Sequence, residues 1–592
     1  MLATAPANPA PERAAEALEL AETEREAASG TRDAAYAGSH RRMVASAGII
    51  GLGNLIGSIL GFLRITMLNV LFGPQASGLF VVALRPIQQV SDLIVGGSVS
   101  GAFIPTFTDY SAAEKREELR RVYSTVANAV VLLMTLAAVI VFIAAPALVD
   151  LETTNAGGDT QQITITLVRI AVLSLYGLGL YAVTSGLLYA LREVAFPAFA
   201  TACYHIGIIV SGVVALALAT HALGLPLGTA LHTGAASPAA ERARLNAVNG
   251  LAIGAALGAA GEFLFLVPGL RRVRVSWRPV LDLRHPAVRQ IVRLYGPIAA
   301  GLIITVLYQN LDVYLTGHTP NDWPANATAL QSGTTLIQFP VGLVAAALSF
   351  AVLPLLTTAA NAGDDAGFKR TLRLGIRLGL LLMVPAMIGL LVLATPIVGM
   401  LFQHGACGHG CTVRNTLALQ NYAYELPFVA LDTLLIAAFF ARKNTLIPNV
   451  VSIAAIGCYM LVAIPFHGTI GMPALAFADS VKNVSHALIL LAILTLTMGS
   501  IGLRELANGV GRILAASGAM AVVAWGLVRL LPALSPRLFD LSTARGDALV
   551  FLVAGGAASA AYFALLHLLR VEEVHLVAGI VRARLGRHAR DV

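Results

Sequence analysis

The chain has 592 residues, of which 57% are hydrophobic and 12% charged, with a formal net charge of +8 and a mean hydropathy of +0.77. A soluble protein carries about 25% charged residues, so a water-facing surface cannot be built from so few, and lipid must cover most of the protein. The positive balance does not indicate nucleic-acid binding. Lys and Arg stand in short clusters between apolar runs, which is how membrane proteins set their topology.

Residues 1–42 are polar and rich in Ala and Glu, and they lack the apolar core of a signal peptide. They read as a cytoplasmic tail ending at His40-Arg41-Arg42. Apolar runs long enough to cross about 30 Å of hydrocarbon follow. They lie at 44–72, 77–104, 122–148, 163–190, 198–220, 247–268, 289–316, 327–358, 371–401, 417–440, 447–466, 471–498, 507–531 and 547–570. The first two and the eighth carry internal Gly, Pro or polar residues and are candidates for broken helices. The expected fold is therefore all-α and polytopic, with about fourteen transmembrane helices.

Orientation follows from the loops. One set of loops holds Lys115, Arg116, Arg120 and Arg121, then Arg271, Arg272, Arg274, Arg278 and Arg284, then Lys369, Arg370, Arg373, Arg442, Lys443 and Arg504. The alternate loops 150–162 and 317–326 hold no Lys or Arg. Both termini are expected in the cytoplasm. The basic linker 269–288 divides an N-terminal group of six spans (43–268) from a second group (289–498), followed by two more spans (499–570) and a basic tail (571–592). No Walker loop or dinucleotide fingerprint is present, which argues against ATP-driven transport by this chain alone.

Charges at bilayer depth cost several kcal/mol and usually face a cavity or a partner. In the second span, Arg85, Gln88, Gln89 and Asp92 recur at spacings of three, four and seven, which places Arg85, one glutamine and Asp92 on one helix face. They are either a polar pair buried between spans or the lining of a hydrophilic cavity. The first span holds Asn54 and Ser58 on one face, and Arg64, which either snorkels to the interface or grips an anion with its planar fork. The seventh span carries Tyr308, Gln309, Asn310 and Asp312; the twelfth carries Asp479, Lys482, Asn483 and His486. Asp479 and Lys482, three residues apart, either neutralise each other, or Asp312 and Asp479 offer oxygens to a coupling Na⁺ or H⁺.

The cysteines are four: Cys203, Cys407, Cys411 and Cys458. The loop from His404 to Cys411, with Cys407 and His409, has the residue types of a metal site. On an oxidising side Cys407 and Cys411 are equally candidates for a disulfide, or for free thiols. His205 in the fifth span reads as a core histidine.

The run Leu60-Gly61-Phe62-Leu63-Arg64, then Phe72-Gly73 and Gly101-Ala102-Phe103-Ile104-Pro105, resembles the start of the MurJ/MviN lipid II flippases. Further matches come in order: Gly296-Pro297, Gln338 to Gly342, Leu353-Pro354, Leu401 to Gly405, Phe439 to Asn444 before Pro448, and Gly468 to Ser480. The resemblance covers about 43–500. It implies the fold of the MOP exporters, two six-helix lobes around a central cavity with two extra C-terminal helices. It implies a flippase, not an enzyme, that moves an undecaprenyl-pyrophosphate-linked glycopeptide from the inner to the outer leaflet of a bacterial plasma membrane by alternating access, alongside the cell-wall synthesis machinery. Arg64 carries over to a basic position of the family. Where the family usually has further arginines, this chain has Ser58, Ser91 and the pair Thr334-Thr335. That leaves two alternatives, a carrier of another polyprenyl-linked glycan and a cation-coupled drug exporter of the MOP type. Transport expected here needs no cofactor beyond Na⁺ or H⁺.

Overall fold

The structure, a computed structural model, describes residues 48–95, 99–153, 158–226, 237–320, 322–500 and 502–571. The tails expected at 1–42 and beyond 571 lie outside these. The described residues are helical with no strand. In chain order the helices are α1 (48–67), α2 (Gly73–Val95), α3 (Ile104–Asp109), α4 (Arg116–Glu152), α5 (Gly158–Ala171), α6 (Ser174–Ala190), α7 (Ala195–Ala222), α8 (Pro238–Arg272), α9 (Pro286–Gly317), α10 (Trp323–Asn361), α11 (Asp365–Phe402), α12 (His409–Ala423), α13 (Leu426–Ala441), α14 (Leu446–Phe466), α15 (Met472–Met498), α16 (Leu503–Leu534) and α17 (Ala544–Leu568).

Among the described residues, ten helices are long and apolar enough to span a membrane, or up to twelve if each of two bent pairs is one span. This is fewer than the fourteen expected. Part of the difference is that residues 48–93 count as one apolar helical run of 46 residues. At 1.5 Å per residue that run would measure about 69 Å, over twice the hydrocarbon thickness. It is broken by a π turn over Leu68–Phe72 and by Gly73, whose φ of 76° belongs to the left-handed region.

Breaks expected in the first two spans are present as that π turn and a second one over Val99–Phe103. The eighth expected span is instead one helix, α10, which runs through Pro340 and Pro354. The bends lie elsewhere. α9 turns by 53° between Gly296 and Gly301, and α12 meets α13 at 41°.

Large apolar side chains lie on the outer surface as well as in the core. Ile143, Leu461 and Leu496 are 71%, 76% and 84% exposed, as a lipid-covered surface requires. Helices approach closely through small residues, since lipid supplies no hydrophobic drive between them. α7 and α8 run along each other, and a Cβ on Gly207 would stand 2.5 Å from the Cα of Gly258. In the second half, α10 packs on α11, α12 and α13, and α15 packs on α12, α13 and α14. The halves meet where α2 lies against α9 and α10.

Candidate functional site

Arg64 is placed by glycines. On α1, Gly53, Gly57 and Gly61 recur every four residues and face α7. A Cβ on Gly53 would fall 2.2 Å from the Ala198 carbonyl oxygen, Gly57 sits beside Thr201 Oγ1 and Gly61 beside His205 Nε2. One turn on, Arg64 points into the same region. Tyr204 of α7 lies within electrostatic reach of both Arg64 and Glu262 of α8. The Nε of Arg64, the Nδ1 of His205 and Oε2 of Glu262 are all buried without a hydrogen-bond partner. Three orphaned polar atoms on adjoining helices inside an apolar bundle mark this as a polar interior site, because each such atom costs about 1–3 kcal/mol. His205 thus stands beside Arg64, not in a purely apolar core.

Arg64 also lines a small pocket with Gln88 of α2 and Gln331 of α10, walled by Leu68, Phe80, Val81 and Leu84. Arg85 Nη2 donates to Gln331 Oε1 at 3.4 Å, and its charge reaches Glu152, Asp312 and Tyr422. The pocket therefore joins both halves of the chain. Gln89 is buried, with its Nε2 unpartnered. Asp92 is exposed on the next turn of α2, away from Arg64, with Tyr295 its near neighbour. Asn54 and Ser58 are exposed, and the Ser58 hydroxyl donates to the Asn54 carbonyl at 2.9 Å. Of the expected set, the structure brings together Arg64, Arg85 and Gln88. Asp92, Asn54 and Ser58 are exposed and do not line that pocket.

Asp312 and Asp479 share one cluster. Tyr459 donates to Asp312 Oδ1 at 2.7 Å, and Tyr308 donates to Asp479 Oδ1 at 2.5 Å. The two tyrosine rings meet edge to face at 4.9 Å. Lys482 forms an ion pair with Asp479 and donates to the Tyr308 hydroxyl at 3.0 Å. Close by, Asn483 donates to Glu425 Oε2 at 2.7 Å, and His486 Nδ1 is 2.6 Å from Asp432. A cationic ammonium is thus built into the cluster.

One end of the interface is sealed by polar bonds between distant segments. Buried Asn69 donates to Ser332 Oγ at 2.9 Å and accepts from Asn415 Nδ2 at 3.2 Å. Gln75 donates to Asp322 Oδ1 at 2.5 Å, and Arg414 holds the other oxygen at 2.6 Å. Thr328 donates to the Pro74 carbonyl at 2.8 Å, and the Ala406 amide to that of Val70 at 2.7 Å. Cys407 and Cys411 lie in this seal and are joined by a disulfide. Both thiols are consumed, so the metal and free-thiol readings of the loop do not apply.

The family model "Lipid II flippase MurJ" matches residues 68–539. The chain belongs to the lipid II flippase MurJ family. It is 25% identical over 452 residues to a probable lipid II flippase MurJ of Vibrio cholerae, which covers 75% of this chain and 81% of that protein. It is 23% identical over 446 residues to lipid II flippase MurJ of Burkholderia cenocepacia, covering 74% and 80%. In fold it is similar to a lipid II flippase MurJ in an inward closed conformation, with a TM-score of 0.68, 18% identity, and 89% and 99% of the two chains covered. A multidrug resistance MATE transporter of the MOP superfamily, in an inward-facing conformation, matches with a TM-score of 0.59, 13% identity, and 75% and 94% covered.

Within the MurJ fold, Thr334 and Thr335, where the resemblance implied a basic residue, have a local structural role. Thr334 and Thr335 both donate to the Gln331 carbonyl, at 3.0 and 2.8 Å, so their hydroxyls serve α10 itself. The cation beside Gln331 comes instead from Arg85. Gln331 and the seal residues Asn69, Asp322 and Asn415 carried no sequence signal, since each is an ordinary polar residue whose partner lies far away in the chain. Glu262 was not singled out either. Arg289, Gln290 and Arg293 line an open cleft at the start of α9; they fall inside the span read as 289–316 and were not singled out from the sequence.

Proposed function

We propose that this chain carries lipid II, a polyprenyl-pyrophosphate-linked glycopeptide, from the inner to the outer leaflet. The observation that supports this reading most is Arg64, held with Gln88 and Gln331 in a pocket shared by both halves and joined there by Arg85. Two guanidinium groups suit a pyrophosphate, which they can bind through paired N–H donors. They oppose a cationic drug. The polyprenyl tail stays in lipid, so only the head needs a polar path.

The accompanying topology is fourteen spans in a bacterial inner membrane, with two lobes and cytoplasmic termini. In that orientation the seal around Asn69 is periplasmic, and the cleft of Arg289 and Arg293 faces the cytoplasm as an entry for the head. The pocket has no room for a sugar-peptide head in the present conformation, so transport requires the seal to part and re-form, as alternating access does. Coupling to Na⁺ or H⁺ falls to Asp312, since Lys482 and Tyr308 already engage Asp479.

Complementation tests the function. The chain should support growth of a strain depleted of its own lipid II flippase, and Arg64→Ala at normal protein level should not. Failure of the unmodified chain, when it is present in the membrane at the level of the protein it replaces, would falsify the substrate assignment. Reporter fusions in 150–162 and 317–326 should read periplasmic.

A further inference from the structure

Among the described residues, four other than glycine hold a positive φ, and all four are basic: Arg192 at 62°, Arg274 at 57°, Lys443 at 61° and Arg570 at 51°. Each stands just past a helix, α6, α8, α13 and α17 respectively. Each closes the same cap. The next residue's amide returns to a carbonyl five positions back: Glu193 to Leu188 at 2.8 Å, Val275 to Leu270 at 3.1 Å, Asn444 to Phe439 at 3.0 Å and Val571 to Leu566 at 3.1 Å. Glycine is the usual residue at this point, because a side chain crowds the left-handed backbone.

At the opposite face of the bundle the described residues with positive φ are glycines, and one of them, Gly224, closes the same cap, the Leu225 amide returning to the Thr220 carbonyl at 2.9 Å. Gly73, Gly224, Gly405 and Gly471 have positive φ, and they follow α1, α7, α11 and α14. The four basic ends share the other face, since the chain runs out and back between each of them. Arg272, next to Arg274, reaches Glu193 at 3.5 Å, and Arg512 at the start of α16 donates to the Leu569 carbonyl at 3.4 Å. Three positive-φ glycines, Gly363, Gly499 and Gly502, also lie on this face. At Gly502 a Cβ would stand 2.7 Å from the Arg373 guanidinium, and Lys369 Nζ lies 3.9 Å from that of Gly499. A cation is already present at both. Nothing within 4 Å accounts for Gly363.

The caps themselves do not need these cations, because backbone amides already satisfy the freed carbonyls. The gain from a cation near a helix dipole is no larger than the cost of a side chain in the left-handed region. All four side chains are exposed, and no carboxylate among the described residues pairs with them. Their charges are therefore available to an external anion.

We infer that these four helix ends are sites for the phosphate of anionic phospholipid in the leaflet they face. The rigid cap fixes the base of each side chain at the end of a spanning helix, where headgroups lie. Naming that leaflet as the cytoplasmic one rests on the orientation proposed above; the contact itself does not.

The test uses the full chain in detergent, with phosphatidylglycerol or phosphatidylcholine added. Native mass spectrometry counts retained lipid, and thermal melts read its effect. The variant R192G/R274G/K443G/R570G suits its backbone, so its Tm without lipid should equal or exceed the parent's. It should lose phosphatidylglycerol adducts and the lipid-dependent rise in Tm, with binding weakened roughly fivefold per site. A second variant, R271Q/R284Q/R370Q/R442Q, removes the same charge from neighbouring exposed positions and should retain the lipid. Equal phosphatidylglycerol binding by the glycine variant and the parent would overturn the inference. So would an equal loss in the second variant, because net charge alone would then explain it. Detergent removes any dependence on orientation, which the reporter fusions decide separately.

Discussion

Asn415 Nδ2 donates to Asn69 Oδ1 at 3.2 Å, joining residues 346 positions apart. Both are buried, at 2% and 0% exposure, and Asn69 also donates to Ser332. One side chain on α1's π turn therefore ties together α10 and α12. Such a bond inside a membrane protein can hold a conformation without holding the fold.

Asn69→Ala should loosen the seal. It removes two buried hydrogen bonds between the halves, at a combined cost of about 2 kcal/mol, which shifts the balance between sealed and open states roughly thirtyfold. A cysteine at Leu84, in a chain with Cys203 and Cys458 changed to serine, should then react faster with an impermeant thiol reagent. An unchanged rate would show that other bonds carry the seal.

Gly78→Ala should prevent closure outright. An added Cβ would fall 1.9 Å from the Pro324 carbonyl oxygen, and two backbones cannot give way cheaply. The variant should fold, because the clash exists only when the halves meet, but should stay open at that end. Spin labels across the seal should show one long distance in place of the parent's short one.

Arg64→Ala should abolish flipping, and Arg64→Lys should retain a small part of it. Lysine keeps the charge but loses the paired donors, and a charge-assisted hydrogen bond contributes about 1.5–3 kcal/mol. Transport assays in vesicles at matched protein level read the difference. Equal activity of the two variants would remove the planar fork from the argument.

Asp479→Asn should lower stability by about 3 kcal/mol, since it leaves the Lys482 ammonium uncompensated. Adding Lys482→Met should recover much of the loss. Neither change should alter the ion dependence of transport, whereas Asp312→Asn should flatten it. Collapsing the Na⁺, H⁺ and voltage gradients one at a time in vesicles gives that dependence. If no gradient affects the unmodified protein, the coupling role of Asp312 is wrong.

The helices were largely legible because apolar runs are bounded by charge and turn residues. The reading 447–466 lies on Leu446–Phe466, and 471–498 on Met472–Met498. The bends in α9 and between α12 and α13 were not read, although Gly296-Pro297 stands at the first and Pro427 at the start of α13. The apolar content on either side of each is unbroken, so each run reads as one span. Arg64 was visible because a charge in an apolar run is conspicuous. Gln331 and Asn69 were not, since amides are common in such helices and their value comes from partners hundreds of residues away. The stripe Arg85, Gln88, Gln89 and Asp92 was legible from its spacing, but not that Arg85 would meet Gln331 of α10 while Asp92 lies beside Tyr295 of α9.

α16 and α17 pack on each other and on α11, and Tyr562 donates to the Leu381 carbonyl at 2.7 Å. They belong mechanically to the second half and stand clear of the seal. This gives the experimenter a handle. A fluorophore at Phe563, 58% exposed, and another at Ile143 on α4 would span both halves from positions outside the pocket and the seal. The length between them would follow each transport cycle from outside the machinery.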